Sequence, residues 1–210
     1  FKRYDLIHVH LFPAFYWVAF ARILSRARTR LVYTQHNTHN RRRDSALFKW
    51  LDRLAYSQYA KVIAISEPTK QLLDAHTGTP GKSVVIPNGV HIEKLMASTG
   101  RLPEDWQSRL QGRKVLLQIA GFRPEKDQDT SIRALTELPD DHVLVLVGDG
   151  ERRSICEQLA VECGVGDRVF FAGLQADVAP WINAADIVVM SSHWEEFGRT
   201  AVEGMALGKP

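Results

Sequence analysis

Short runs of β-branched and aliphatic residues alternate with longer helical segments along the 210-residue chain. This alternation is typical of α/β proteins built on parallel sheets, because each crossover between parallel strands needs a connection of helix length. The pattern predicts strands over 6–10, 31–34, 62–65, 84–87, 115–120, 142–147, 169–172 and 187–190. It predicts helices over 15–25, 45–60, 68–76, 128–136, 151–163, 179–185 and 200–207.

The length allows one large domain or two smaller ones, and two Rossmann-like, doubly wound lobes would accommodate this number of elements. A turn at Pro87-Asn88-Gly89-Val90 marks the predicted boundary, so we assign residues 1–90 to the first lobe, 91–112 to a linker and 113–210 to the second lobe. Ligands of open parallel sheets bind outside the carboxyl ends of the strands, which predicts an active site in a cleft between the lobes. The chain begins at Phe1 and stops at Pro210 without a closing element, so we expect a fragment of a longer enzyme, truncated at both ends.

Composition narrows the possible partners. Residues 1–90 hold 14 Lys or Arg and 5 Asp or Glu, whereas residues 91–210 hold 13 and 19. The basic cluster Arg41-Arg42-Arg43, followed by Lys49 and Arg53, is either a solvated helix surface or a contact for an anionic membrane or a phosphorylated acceptor. Nucleic acid is not expected, because no aromatic stacking motif accompanies these cations.

No apolar run reaches the length of a membrane-spanning helix. Cys156 and Cys163 are expected to stay as thiols.

The run from Glu195 to Glu203 is the most informative motif. It places two carboxylates eight residues apart at the junction of a predicted strand and a predicted helix, with Gly198 in the bend. The first turn of a helix offers unpaired N–H groups to an anion, and carboxylates on either side can bind hydroxyl groups. This combination suits a nucleotide sugar, although a carboxylate near a helix start can also simply complement the helix dipole.

Several motifs together resemble family 4 glycosyltransferases, which are retaining enzymes of the two-lobed GT-B fold. They occur in the family's order and spacing: Thr34 to Thr38, Ile65-Ser66-Glu67, Ile86 to Val90, Arg123 to Lys126, Val147 to Gly150, and Glu195 to Lys209. The resemblance implies transfer of a sugar from a nucleoside-diphosphate sugar to a saccharide or lipid-linked acceptor. It also implies surface polysaccharide or lipid-linked glycan synthesis, at a cytoplasmic location that includes the inner face of the cell membrane.

The same resemblance assigns roles to individual residues. His36 and Glu195 would contact the donor sugar, Glu203 would bind the ribose hydroxyls, and the backbone around Phe197, Gly198 and Arg199 would face the sugar and diphosphate. Arg123 and Lys126 would neutralise the diphosphate, although many members carry the arginine where this chain has Gly121. No metal or other cofactor is expected.

Other interpretations of the sequence stay open. Gly148-Asp149-Gly150 is explained by a turn, because it lacks the third glycine of a dinucleotide-binding motif. A nucleotide-sugar epimerase shares the two-lobed architecture and would need no acceptor. A module that binds a nucleotide without turnover is the third possibility.

Overall fold

The computed structural model describes residues 4–36, 46–78, 81–195 and 197–210. The chain divides into two compact units, Phe1–Asn88 and Gly89–Pro210. Each unit contains a parallel sheet of four strands. Arg41 to Arg43, the centre of the predicted basic cluster, lie outside the described residues.

In the first unit, the strands lie side by side in chain order. The elements are β1 (Leu6–His10), α1 (Ala14–Ser25), β2 (Arg30–Gln35), α2 (Ala46–Ser57), β3 (Lys61–Ala64), α3 (Glu67–Thr77) and β4 (Ser83–Val85). Alternate strand residues Val9, Leu31, Tyr33 and Val62 join one core cluster with Phe15 of α1 and with residues of α2 and α3. The three helices therefore cover one face of this sheet, as expected when consecutive right-handed crossovers run in one direction.

Local signals in the sequence account for the ends of α3. Ser66 precedes the helix in extended conformation, and its Oγ accepts a hydrogen bond from the backbone N–H of Thr69. Pro68 occupies the first turn, where the missing N–H costs nothing. Gly78 ends the helix with a φ of 65°, in the left-handed region that glycine adopts readily.

The second unit contains six helices and four strands within its described residues. They are α4 (Ile92–Met96), α5 (Glu104–Leu110), β5 (Lys114–Ile119), α6 (Gln128–Leu135), β6 (His142–Val147), α7 (Arg153–Glu162), β7 (Val169–Gly173), α8 (Ala179–Ala184), β8 (Ile187–Val188) and α9 (Arg199–Ala206). A 3-10 turn over Pro124–Lys126 follows β5. The strand order is β7-β6-β5-β8, so the winding direction reverses between β5 and β8. Such a reversal point is where open α/β sheets bind their ligands.

Both faces of this second sheet are buried. Val143, Val145 and Val147 of β6 pack in one core cluster with Trp181 and Ile182 of α8. The intervening Leu144 and Leu146 pack in a second cluster with residues of α6 and α7. The continuous apolar sequence of β6 follows from this arrangement, because successive side chains point to opposite faces and helices cover each face.

The predicted elements are present, with shifts at their ends. The main difference concerns 91–112, which the sequence suggests is a linker. This segment carries α4 and α5 in the second unit, and Leu102 and Leu110 are buried in its core. Cys156 and Cys163 are free thiols, as expected. No helix among the described residues is long and apolar enough to cross a membrane.

Candidate functional site

The loops after β5 and β6 touch through their backbones. A Cβ atom on Gly148 would lie 2.1 Å from the carbonyl oxygen of Ala120, and one on Gly150 would lie 2.5 Å from that of Phe122. The two glycines have φ values of 138° and 156°, a region that residues with side chains rarely adopt. The two glycines therefore allow the loops to approach each other closely. A turn alone would not explain why both positions of the Gly148-Asp149-Gly150 motif are glycine.

A cavity of about 590 Å³ opens between these loops. We call it the β5–β6 cavity, and its lining residues are Gly121, Arg123, Lys126, Asp149, Gly150 and Glu151. Arg123 and Lys126 thus reach the same space, and their role in neutralising a diphosphate stays a prediction. Because both are cations at the carboxyl end of a parallel sheet, the cavity can hold an anionic group such as a diphosphate.

Lys126 and Glu195 form an ion pair between their Nζ and Oε1 atoms. The Ser192 hydroxyl donates a second hydrogen bond to the same carboxylate oxygen, at 2.9 Å. The backbone N–H of His193 donates to the carbonyl oxygen of Glu125 at 3.0 Å. These contacts join the 3-10 turn to the segment between β8 and α9, so two side chains separated by 69 positions meet at one edge of the sheet.

A polar network beneath the 3-10 turn fixes the backbone that carries Lys126. Gln118 is 2% exposed, and its Nε2 donates to the carbonyl oxygen of Lys126 and to the Ser191 Oγ, both at 3.0 Å. Ser191 Oγ lies 2.7 Å from the carbonyl oxygen of Asp127, to which it donates, and it accepts from the Ser131 hydroxyl at 3.2 Å. Sequence reasoning missed this network, although a glutamine inside an otherwise apolar strand was a signal for it.

Glu203 lines a different cavity from Lys126. This α4–α9 cavity has a volume of about 680 Å³, and its polar lining residues include Lys94, Asp177, Arg199 and Glu203. Glu203 is 8% exposed, and its Oε1 lies 3.2 Å from the Arg199 guanidinium. Among the predicted site residues, the structure therefore groups Arg123, Lys126 and Glu195, and separately Arg199 and Glu203.

The start of α9 is fixed by close packing. Gly198 is buried with a φ of 65°, and a Cβ there would lie 3.3 Å from the Met190 side chain. The Thr200 hydroxyl donates to the carbonyl oxygen of Ile119 at 3.0 Å, which holds the helix start beside the end of β5. The first turn of α9 carries no acidic residue, so dipole complementation does not account for Glu203. Phe197 is half-buried beside this bend.

His36 follows β2 in the first unit and contacts a second histidine. Its Nε2 lies 3.0 Å from Nδ1 of His10, within hydrogen-bond distance, while His8 Nε2 and the Thr34 Oγ1 are 2.8 Å apart. Burial lowers the pKa of His36, and the neighbouring His10 and His8 lower it further. Both effects favour the neutral imidazole of His36. His10 was missed as its partner, although it stands at the carboxyl end of the neighbouring strand.

The histidines that the structure describes do not form a metal site by geometry. In the part of the chain that the structure describes, no group of three or more His, Cys, Asp or Glu side chains is arranged to hold a metal ion. The absence of a metal requirement stays a prediction.

Comparison with known proteins assigns both units to families. Residues 102–210 match the model described as Glycosyl transferases group 1, and residues 1–94 match Glycosyltransferase Family 4. Relatives include a lipopolysaccharide core biosynthesis glycosyltransferase, LpsE, of Rhizobium meliloti, 41% identical over 46% of this chain and 28% of its own length. Another is a D-inositol 3-phosphate glycosyltransferase of Streptosporangium roseum, 27% identical over 99% of this chain and 53% of its own length.

The solved structure of Anabaena Alr3699/HepE in complex with UDP and glucose superposes with a TM-score of 0.83. It is 27% identical and covers 99% of this chain, which corresponds to 58% of the HepE chain. The chain thus spans about half or less of the length of the relatives described here. The predicted fold class is confirmed: two α/β units with parallel sheets, similar to GT-B glycosyltransferases. The chain belongs to the glycosyl transferases group 1 family, and the family 4 glycosyltransferase resemblance is confirmed.

Proposed function

We propose that the whole protein transfers a sugar from a nucleoside-diphosphate donor to an acceptor hydroxyl, and that the second unit binds the donor. The observation that carries this proposal is the β5–β6 cavity, which Arg123 and Lys126 both line, together with the ion pair between Lys126 and Glu195 of the segment after β8. The cations suit a diphosphate, and the adjacent carboxylate suits sugar hydroxyls. HepE, solved with UDP-glucose and 29% identical, supports a uridine nucleotide as the first donor to test.

In this proposal the two cavities bind different parts of the donor. The diphosphate lies in the β5–β6 cavity. The ribose hydroxyls donate to Glu203, which is the buried carboxylate of the α4–α9 cavity. His36 keeps the role implied by the resemblance, which is contact with the donor sugar as a neutral imidazole.

The proposed reaction retains the anomeric configuration. The bond from the anomeric carbon to the diphosphate oxygen breaks, and a bond from the same carbon to the acceptor oxygen forms on the same face. The acceptor proton passes to the departing diphosphate. Negative charge grows on that diphosphate as the bond breaks, so Arg123 and Lys126 stabilise the transition state more than the bound donor.

Nucleotide release by the full-length protein tests the proposal. We expect Lys126→Ala to lower turnover by on the order of 100-fold, the usual effect of removing one preorganised charge-stabilising group. Lys114→Ala is the matched control, because Lys114 stands at the opposite end of β5 in an exposed pair with Asp186, 3.4 Å away. Equal turnover in all three proteins would contradict the site assignment.

Product analysis separates the other enzymatic possibility. A transferase leaves free nucleoside diphosphate and a glycosylated acceptor, whereas an epimerase returns an isomerised donor without an acceptor. Nucleotide binding without either product would identify a binding module. The acceptor class, a saccharide or lipid-linked glycan, is proposed from the lipopolysaccharide glycosyltransferase relatives and is tested by offering both kinds of acceptor.

A further inference from the structure

Three histidines meet toward the carboxyl edge of the first sheet. In β1, His8 and His10 alternate with Val9, which belongs to the core. His10 lies opposite Thr34 of β2 in the parallel register. Because successive side chains of a strand point to opposite faces, His8, His10 and Thr34 share the face turned away from this core. His36 follows directly after β2 and completes the group, and we call the three histidines the histidine row.

The histidine row is ordered along its length. His8 Nε2 lies 2.8 Å from Thr34 Oγ1, within hydrogen-bond distance, and Thr34 is buried. The rings of His8 and His10 have a centroid distance of 4.1 Å. Those of His10 and His36 stack at 5.3 Å with an interplanar angle of 30°. His10 therefore contacts one ring that a buried hydroxyl fixes, and it transmits this order to His36.

The bond between His10 and His36 fixes more than the position of the two rings. Nδ1 of His10 lies 3.0 Å from Nε2 of His36, and a neutral imidazole carries one N–H and one lone pair. A hydrogen bond between two neutral rings therefore makes one of these nitrogens the donor and the other the acceptor. Nδ1 of His36 must then take the role opposite to that of its own Nε2. Among the residues that the structure describes, no hydrogen bond engages this Nδ1.

We propose that His10 is a positioning residue, which orients His36 and presents Nδ1 of His36 to the donor sugar. The inference rests on the proposed function, in which His36 contacts that sugar. A sugar hydroxyl accepts from an N–H or donates to a lone pair, so a fixed tautomer decides which of the two bonds forms. A ring that is held in advance also loses less conformational freedom when the donor binds. Without His10, the His36 ring turns and exchanges tautomers.

Release of UDP from UDP-glucose by the full-length protein tests this role in a double-mutant cycle. His10→Phe keeps an aromatic ring in the histidine row but removes the bond to His36, and we expect kcat to fall about tenfold. His10→Asn places an amide where Nδ1 stood and should recover most of this loss. In a His36→Ala background, His10→Phe should cause no further loss, because His10 acts only through His36.

His142→Phe is the matched control, since His142 begins β6 in the second unit and pairs with Asp141 at 2.7 Å. It should leave turnover unchanged. Affinity for UDP, which lacks the transferred sugar, should match wild type in His10→Phe. A parallel loss of UDP affinity would overturn the proposal, because the defect would not be confined to the sugar. Equal turnover of wild type and His10→Phe would also overturn it, and so would additive losses in the double variant, which would mean that His10 contacts the substrate itself.

NMR of the His36 ring nitrogens, recorded without a donor, separates this inference from the proposed function. In wild type, the Nδ1 and Nε2 signals should be those of one tautomer. In His10→Phe they should move toward the average of two tautomers. Unchanged signals would overturn the positioning role. If wild type released no UDP from UDP-glucose while these signals behaved as expected, the proposed function alone would fail.

Discussion

Replacing Ser191 by alanine should loosen the backbone that carries Lys126. The Ser191 Oγ accepts from Gln118 and Ser131 and donates to the Asp127 carbonyl oxygen. Alanine keeps the volume nearly constant but leaves these partners short of hydrogen bonds. A net hydrogen bond contributes about 0.5–1.5 kcal/mol, and a buried group left unpaired costs about 1–3 kcal/mol. We therefore expect a loss of about 2 kcal/mol in the free energy of unfolding.

Thermal denaturation and UDP titration of the same sample measure both consequences. For a chain of this size, a loss of about 2 kcal/mol lowers Tm by about 4–8 °C. Affinity for UDP should fall as well, because Lys126 no longer rests on a fixed turn. Ser108→Ala is the control, since that hydroxyl donates to the Glu104 carbonyl oxygen on the exposed surface of α5. A Tm and an affinity for UDP that both match wild type would refute the positioning role of the network.

Two further substitutions test the packing of the second unit. Gly148→Ala places a Cβ 2.1 Å from the Ala120 carbonyl oxygen and should lower Tm. Gly112→Ala is the control, because φ is also positive there but nothing lies within 4 Å, so the loss of Tm should be smaller. Equal losses of Tm would show that the loops do not touch. The pKa of Asp186 is lowered chiefly by the hydrogen bond from the Val115 N–H, so its ionised form stabilises the fold above the unfolded pKa and this stability is lost as pH falls through the folded pKa. Asp186→Asn should therefore be less stable than wild type at pH 7, with a gap that stays constant down to about pH 5 and narrows only as pH falls through the unfolded pKa of Asp, about 3.9. A gap that is independent of pH below this value would contradict the prediction.

The strands could be predicted because short runs of apolar and β-branched residues indicate them without knowledge of distant contacts. The run Val143 to Val147 is apolar at every position, which only a doubly covered strand or a buried helix permits, and its short length favours the strand. The short helices α4 and α5 were missed. Neither has a side-chain hydrogen bond at its N-cap, and their five and seven residues are too few for a helical period to stand out.

The contact between Lys126 and Glu195 could be predicted from the sequence, whereas the position of Glu203 could not. Lys126 and Glu195 each follow a strand, and neighbouring parallel strands bring their carboxyl ends together, so their meeting could be anticipated. The separation of Glu203 from Lys126 could not, because the α4–α9 cavity depends on how the segment 89–100 packs against α9. The roles of Gly148 and Gly150 likewise depend on a contact between two loops that no local pattern describes.

Calorimetric titration of UDP into the full-length protein tests the donor site most directly. Wild type and Lys114→Ala should bind with equal affinity. Lys126→Ala and Glu203→Ala should each bind at least about tenfold more weakly, because a hydrogen bond to a charged group contributes about 1.5–3 kcal/mol. Unchanged affinity in both of the latter variants, with their melting temperatures intact, would contradict the assignment of the two cavities to the donor.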